Sequence, residues 1–447
     1  MEEIITRNNN IINGFLEAYK NKSAPINVKF RDLIPELRSK ERYTHLIHKY
    51  PAKLLVHIPY LFVNNTILSS ENDIILDPFV GTGTVYLESI LSGRKAYGAD
   101  SNPLARLISK VKVTSYDIEE VTRAIEEVVN KALVSESSIL PEVRNVDFWF
   151  PLQNRKDLAK LLYQIKQIIN DDIRDFLLVA FSNCIKKVSY ADPRIAVPVK
   201  LNPARYTDAL VKQKVSNAIT TIEHIDVISK FKDVANDNLK RSKKLKVRLN
   251  GTAVGQYISN DARKLFKNDS ERLENNSIQL IITSPPYAGA QKYIRSSSLN
   301  LGWTELAGIK DLRELDKKNI GRENYYKREL IAHPTGIPEA DEIINKIASI
   351  SMERATVVSQ YIVEMKEAID EMIRVLKKDG YIVMVIGNNK VCNLEFNTQQ
   401  YLCSYMLQKG LTPQFKLIDD ISSYGLMTKR NKTASVISRE FILVFKK

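Results

Sequence analysis

A chain of 447 residues with 44% hydrophobic content is long enough for two or three domains and a substantial core. Its 66 Lys and Arg outnumber 52 Asp and Glu to give a net charge of +14, which suits a polyanionic partner, although charge alone assigns none. No apolar run approaches the roughly 18 residues of a membrane span, and Met1-Glu2-Glu3-Ile4-Ile5-Thr6-Arg7 is unlike a secretory signal, so a cytoplasmic protein with no membrane partner is expected. Residues 1–40 are polar with helical spacing and predict an N-terminal helical arm. His45 and His48 follow, but no Cys or carboxylate nearby completes a metal site, so structural roles or roles facing the polyanionic partner are expected and no metal is assigned. Tyr50-Pro51-Ala52-Lys53 closes this stretch.

Ile74-Ile75-Leu76-Asp77-Pro78-Phe79-Val80-Gly81-Thr82-Gly83-Thr84 is an apolar run breaking into a Gly-x-Gly turn and then into helical spacing. The pattern predicts strand, tight loop and helix, with glycines that admit a ligand close to the backbone. A dinucleotide fingerprint would place a third glycine where Tyr86 stands, and no P-loop lysine follows. A second short strand over residues 96–100 ends in Asp100, about 20 residues beyond the glycines, where an acid takes ribose hydroxyls. A nucleoside-bearing cofactor without a pyrophosphate fits, held in the first half of a doubly wound α/β sheet.

Asp117 to Asn130, Lys156 to Asn170 and Ile173 to Lys187 then run in helical periodicity without an intervening strand. Residues 116–250 are therefore expected to be a helical insertion, a candidate recognition region for the polyanionic partner, between a first half at 41–115 and a second half at 251–447. The basic stretch Asn238 to Lys246 at its end is either a solvated loop or helix face, or a phosphate contact. The sheet is expected to resume near residue 252. Asp261 stands shortly before the next strand and could cap a following helix.

Ile278 to Ile282 predicts a buried strand, and Thr283-Ser284-Pro285-Pro286-Tyr287 follows it. Proline fixes its own φ and restricts its predecessor, so Ser284 and Pro285 present preorganised acceptors beside an aromatic ring. A strand-ending loop would look the same in isolation. Lys292 and Arg295 lie just beyond, placed to meet the phosphates of a nucleic-acid partner if the charge excess serves one. Residues 296–355 are charged, with Arg322, Tyr325, Tyr326, Lys327 and Arg328 clustered, and form either a DNA-contacting insert or a solvated segment. Tyr361 to Val375 predicts a helix, Lys378-Asp379-Gly380 a turn, Tyr381 to Gly387 a buried strand, and Phe441 to Phe445 a final strand paired with Phe415 to Ile418.

The loops at Asp77 to Thr84 and Thr283 to Tyr287 resemble the cofactor and catalytic loops of S-adenosylmethionine-dependent DNA amino-methyltransferases. His48-Lys49-Tyr50-Pro51-Ala52-Lys53 resembles the segment that closes over the methionine end of their cofactor. The Ser-Pro-Pro-Tyr form is typical of the cytosine-N4 branch. The resemblance covers residues 40–110 and 255–447. It implies a Rossmann-like methyltransferase sheet, S-adenosylmethionine as methyl donor, double-stranded DNA as substrate, and room for a cognate restriction endonuclease as partner. Carried onto this chain, it makes Ser284, Pro285, Pro286 and Tyr287 catalytic. Cofactor contacts fall to Lys53, Asp77, Phe79, Gly81, Thr82, Gly83, Thr84, Asp100, Asn102 and Asp261, the last through the adenine amino group.

Adenine-N6 transfer uses nearly the same pocket and is the alternative product; RNA methylation and a non-catalytic DNA-binding scaffold are the other readings. Cys184, Cys392 and Cys403 are widely spaced and none follows a proline, which argues against cytosine-C5 chemistry, a disulfide framework and a zinc cluster.

Overall fold

Among the residues described by the computed structural model (2–38, 42–50, 53–249, 258–289, 292–420 and 439–447), eight strands form one sheet. Pro51 and Ala52, and the position near residue 252 where the sheet was expected to resume, lie outside the described residues. The strands are β1 (Ile26–Val28), β2 (Ile74–Asp77), β3 (Lys95–Ala99), β4 (Ile258–Ser259), β5 (Ile278–Thr283), β6 (Leu376–Gly387), β9 (Thr412–Asp420) and β10 (Arg439–Lys446). The pair β7 (Asn389–Val391) and β8 (Leu394–Phe396) forms a separate antiparallel ribbon. The order in the large sheet is β1-β9-β10-β6-β5-β2-β3-β4, parallel throughout except for β10, which runs against both neighbours. This is the doubly wound α/β class expected from the sequence.

Side-chain alternation explains why the central strands look almost uniformly apolar. Leu280 and Ile282 of β5 join Ile75, Val383 and Val385 in one core layer, beneath Ile12 and Phe62 of the helices Glu2–Lys22 and His57–Val63. Ile281 joins Leu76, Ile382 and Met384 in the opposite layer, against Ile362, Met365 and Ile369 of the helix Met352–Val375. Both faces are covered, so both sets of alternating positions must be apolar. The chain leaves β2 toward β3 and β4 but leaves β5 toward β6. The crevice at the carboxyl ends of β2 and β5 is therefore the topological switch point, where such sheets bind ligands.

A third core lies wholly to one side. It is built from the helices Ile118–Val134, Leu152–Lys166, Asp171–Ile185 and Val227–Leu249, joined by the helix Tyr293–Trp303 from beyond the Ser-Pro-Pro-Tyr loop. Trp303 is fully buried there, edge-on to Phe150 at 5.5 Å and Phe181 at 6.3 Å between ring centroids. The predicted helices are present with shifted ends, the first capped by Asp117 through the amides of Glu119 and Glu120. The basic stretch is a helix face: Asn238, Leu239, Ser242 and Leu245 point inward while Lys240, Lys243, Lys244 and Lys246 are exposed.

Several local expectations change. The N-terminal segment is more than a helical arm, since β1 pairs with β9 (Ile26 opposite Leu417) and edges the main sheet. The helix expected from Tyr361 begins at Met352, where the Ser351 side chain accepts from the Arg354 amide. The turn expected at Lys378-Asp379-Gly380 is an irregularity inside β6: Asp379 adopts φ 66°, and its amide reaches the Lys447 carbonyl at 3.1 Å. A Cβ on Gly380 would lie 2.8 Å from Leu376 Cδ1, so no larger residue fits there unshifted. Asp261 is followed by a turn, so the alternative of a helix cap does not apply to it.

Candidate active site

The glycine loop is fixed from both ends of the crevice. The Val80 amide donates to the Ala99 carbonyl at 2.8 Å, tying the loop to β3. Gly81 and Gly83 take φ of 49° and 73°, a left-handed conformation that favours glycine. At Gly83 an added Cβ would also approach the Ser109 hydroxyl to 3.1 Å. Asp100 completes the cradle: its carboxylate accepts from the Gly81 amide at 3.0 Å and the Asn102 amide at 2.8 Å. Burial pushes its pKa up to about 6, while those two donors pull the other way. Each carboxylate oxygen retains a lone pair for a ligand hydroxyl.

The second loop meets the first through a buried contact between strand ends. The Thr283 hydroxyl donates to Asp77 Oδ1 at 2.7 Å, and the Phe79 amide donates to the same oxygen at 3.1 Å. Asp77 is 5% exposed, and burial raises it to about 7. Ser284 and Pro286 line a narrow cleft with Phe79, Gly81, Asp100 and Asp261, so both loops share one cavity; Tyr50, Tyr293 and Asn319 add to its wall. Pro285 is buried and Tyr287 half-buried, and neither lies on that wall. The Tyr287 hydroxyl donates to Glu440 Oε1 of β10 at 2.8 Å. Burial raises the Glu440 carboxyl above its ordinary range, and the hydrogen bond from Tyr287 opposes that rise.

The remaining expected residues are dispersed. Thr82 and Thr84 are buried beside the cleft without lining it. Asn102, 1% exposed, caps the helix Pro103–Val113 through the Leu104 amide, and its Nδ2 donates to the Tyr50 hydroxyl at 2.9 Å and Ser297 at 3.2 Å. It supports the wall from behind. Asp261 reaches the cleft, but its carboxylate is also clasped by the Arg263 guanidinium, at 2.9 and 3.0 Å. Lys53 lines a second cavity beyond Tyr50 and donates to the His45 and His48 carbonyls at 2.8 and 3.1 Å. Lys292 pairs with Glu323 at 2.9 Å, and Arg295 is exposed.

His45 and His48 are buried against Glu88 (2.7 Å) and Ser182 (3.0 Å), a structural use of both rings. The Arg and Tyr cluster at 322–328 is engaged within the chain. Arg313 stacks on Tyr326 at 3.6 Å and Arg322 on Tyr325 at 4.0 Å, which favours the structural alternative over base readout for these side chains. Sequence reading missed Glu440, Tyr50 and Asn319. Glu440 carried one signal, a carboxylate directly before the apolar run Phe441 to Phe445 of β10.

A doubly wound sheet with a reversed β10, whose switch-point crevice brings a glycine loop against a Ser-Pro-Pro-Tyr loop, defines a Rossmann-like methyltransferase. The chain belongs to the N6/N4 DNA methylase family, whose profile matches residues 5–110 and 278–447. The unmatched interval is largely the helical insertion. The chain is 24% identical over 439 residues to Type II methyltransferase M.MvaI of Kocuria varians, covering 90% of this chain and 91% of that protein. It is 27% identical over 168 residues to Type II methyltransferase M.MjaII of Methanocaldococcus jannaschii, covering 35% and 30% of the two chains. With Type II methyltransferase M.BsoBI of Geobacillus stearothermophilus, identity is 22% over 285 residues, 56% of this chain and 50% of the relative. The first alignment is long enough that it must include much of the insertion.

Proposed function

We propose that this DNA methyltransferase transfers the methyl group of S-adenosylmethionine to the exocyclic N4 of cytosine in duplex DNA. The observation that carries the reading is Ser284 opening the Pro285-Pro286-Tyr287 loop in the same cleft as Gly81 and Asp100. When bound, S-adenosylmethionine supplies an electrophilic methyl group on a sulfonium sulfur. The sulfonium and ammonium outweigh its carboxylate, and a cleft lined by Asp100 and Asp261 suits a ligand of net positive charge. Gly81 leaves room for close approach, and Phe79 offers an apolar surface for the adenine.

An exocyclic amine conjugated to its ring is a poor nucleophile, because its lone pair is delocalised. Acceptors at the Ser284 hydroxyl and the Pro285 carbonyl would hold the amino hydrogens and turn the lone pair toward the methyl carbon. Tyr287 would stack on the base once it leaves the helix. The nitrogen–carbon bond forms as the sulfur–carbon bond breaks, and the alkylated nitrogen, now strongly acidic, releases its proton to solvent. Orientation thus supplies much of the rate. Because the relatives are named Type II methyltransferases, a restriction endonuclease of matching sequence preference is the expected partner.

Purified protein, isotopically labelled cofactor and mixed-sequence duplex DNA test the reading, with nucleosides separated after digestion. The expected product is N4-methylcytosine, abolished by Ser284→Ala combined with Tyr287→Ala. N6-methyladenine alone would transfer the assignment to the adenine branch, and 5-methylcytosine would refute the mechanism.

A further inference from the structure

Beyond Tyr50, which walls both cavities, lies a second cavity of about 610 Å³. Four separated stretches build it: residues 46–50 together with Lys53, the end of the helix Asp171–Ile185 with the turn after it, the loop at 193–196, and one face of the helix Val227–Leu249. Ser296 and Asn300, from the helix that follows the catalytic loop, close it. Its cations are Lys49, Lys53, Lys186, Lys187, Arg194 and Arg241, against a single acid, Asp237, which already pairs with Lys240 at 3.5 Å. Lys49, Lys53, Lys187 and Arg241 make no ion pair among the described residues.

Cations gathered in a concave, partly desolvated site repel one another, and such an excess of one sign is costly unless an anion enters. Burial and the nearby charges of Lys230 and Lys49 lower the Lys187 pKa. His48, 4% exposed on the same wall, leaves Nδ1 without a hydrogen-bond partner. Burial, and then Lys53, depress its pKa to about 3, so the ring is neutral and one tautomer offers Nδ1–H as a donor. The cofactor is an unsuitable occupant, being net positive, and the acidic cleft on the other side of Tyr50 complements it better.

We infer that this cavity seats backbone phosphates of the DNA strand whose target nucleotide is extruded into the neighbouring cleft. The inference rests on the methyltransferase reading above and gives the helical insertion a specific DNA contact: Lys186, Lys187 and Arg241 hold the strand, whereas Arg194 is held by Asp192 at 2.7 Å and the Ser-Pro-Pro-Tyr loop holds the base. It also moves Lys53 from the cofactor carboxylate to the DNA backbone.

The test compares Lys187→Gln/Arg241→Gln with Lys243→Gln/Lys246→Gln, which removes the same charge from the exposed face of the helix that carries Arg241. Affinity for a fluorescent mixed-sequence duplex is measured against salt, cofactor affinity by calorimetry, and folding by circular dichroism. Each lost phosphate contact flattens the plot of log affinity against log salt by about 0.9. The cavity variant should therefore lose one to two units of slope and at least tenfold in affinity at low salt, with cofactor affinity intact and the surface variant near wild type. Equal losses in both variants would reduce the effect to net charge and overturn the assignment. So would a fall in cofactor affinity with unchanged DNA binding, which would give the cavity to the methionine end. Wild-type protein that binds duplex but forms no methylated base would instead sink the methyltransferase reading, leaving the phosphate result standing.

Discussion

At the scale of single residues, the two carboxylates Asp100 and Glu440 carry separable roles. Asp100, with its pKa raised to about 6, must be ionised to favour a net-positive ligand. Cofactor affinity should therefore be flat above pH 6 and fall roughly tenfold per unit below it. The contribution of the same group to stability has the opposite sign. Its neutral form is favoured in the fold, so that contribution is present below about pH 4 and lost as pH rises through about 6. Calorimetric titrations at pH 5 and 7 should show the loss in wild type and none in Asp100→Asn, and equal pH dependence in both would remove Asp100 from the cofactor site. Glu440 acts through Tyr287 as a positioning residue. Tyr287→Phe and Glu440→Ala should each lower kcat/KM for DNA by roughly 10- to 100-fold, in line with about 1–3 kcal/mol for leaving a buried polar partner unsatisfied. The double variant should be no worse than either single one. Glu440→Gln keeps an acceptor and should restore most of the activity, whereas fully additive losses would mean that the hydroxyl and the carboxylate work independently.

Legibility at the scale of elements depends on how locally each is specified. β2 and β5 were readable because both faces are buried, which forces an unbroken apolar run, and because each ends in a loop whose glycines or prolines are set by backbone geometry. The pairing of β9 with β10 was readable from two apolar runs alone. β1 was not: three residues at the sheet edge, none of them buried, leave no periodic trace. The start at Met352 was missed although Ser351 is a standard capping residue, because the polar context of 296–355 hid the signal. The site divides the same way. Gly81 and Ser284 belong to short local motifs and Asp100 to a strand end about 20 residues from the glycines, and the three line one cleft, while the Tyr287 and Glu440 partnership joins positions 153 apart in sequence and exists only once β10 lies beside β6. Lys53 was assigned to the cofactor by resemblance; the tertiary arrangement gives it a different cavity.

For the whole molecule, the question is whether the helical region is a domain inserted into the sheet or a continuation of it. Its core takes Ile47, Leu104 and Ile108 from the first half of the methyltransferase sequence and Ile294, Leu299 and Trp303 from the second, so three stretches of chain must be in place together. The helix bearing Trp303 begins six residues beyond Tyr287, and its first residue, Tyr293, lines the cleft shared by Gly81 and Ser284. Unfolding the insertion should therefore release the catalytic loop as well. The chain has two tryptophans, Trp149 and Trp303. Both pack in or against this core. Tryptophan fluorescence thus reports the insertion, whereas far-ultraviolet circular dichroism reports all helices and strands. Coincident urea transitions by the two probes are the expected outcome, although chains of this size often unfold in steps. Trp303→Ala should destabilise both by about 3–5 kcal/mol and shift the two curves together. A fluorescence transition at lower urea than the dichroism transition, with cofactor binding surviving between them, would show instead that the insertion folds as an independent unit.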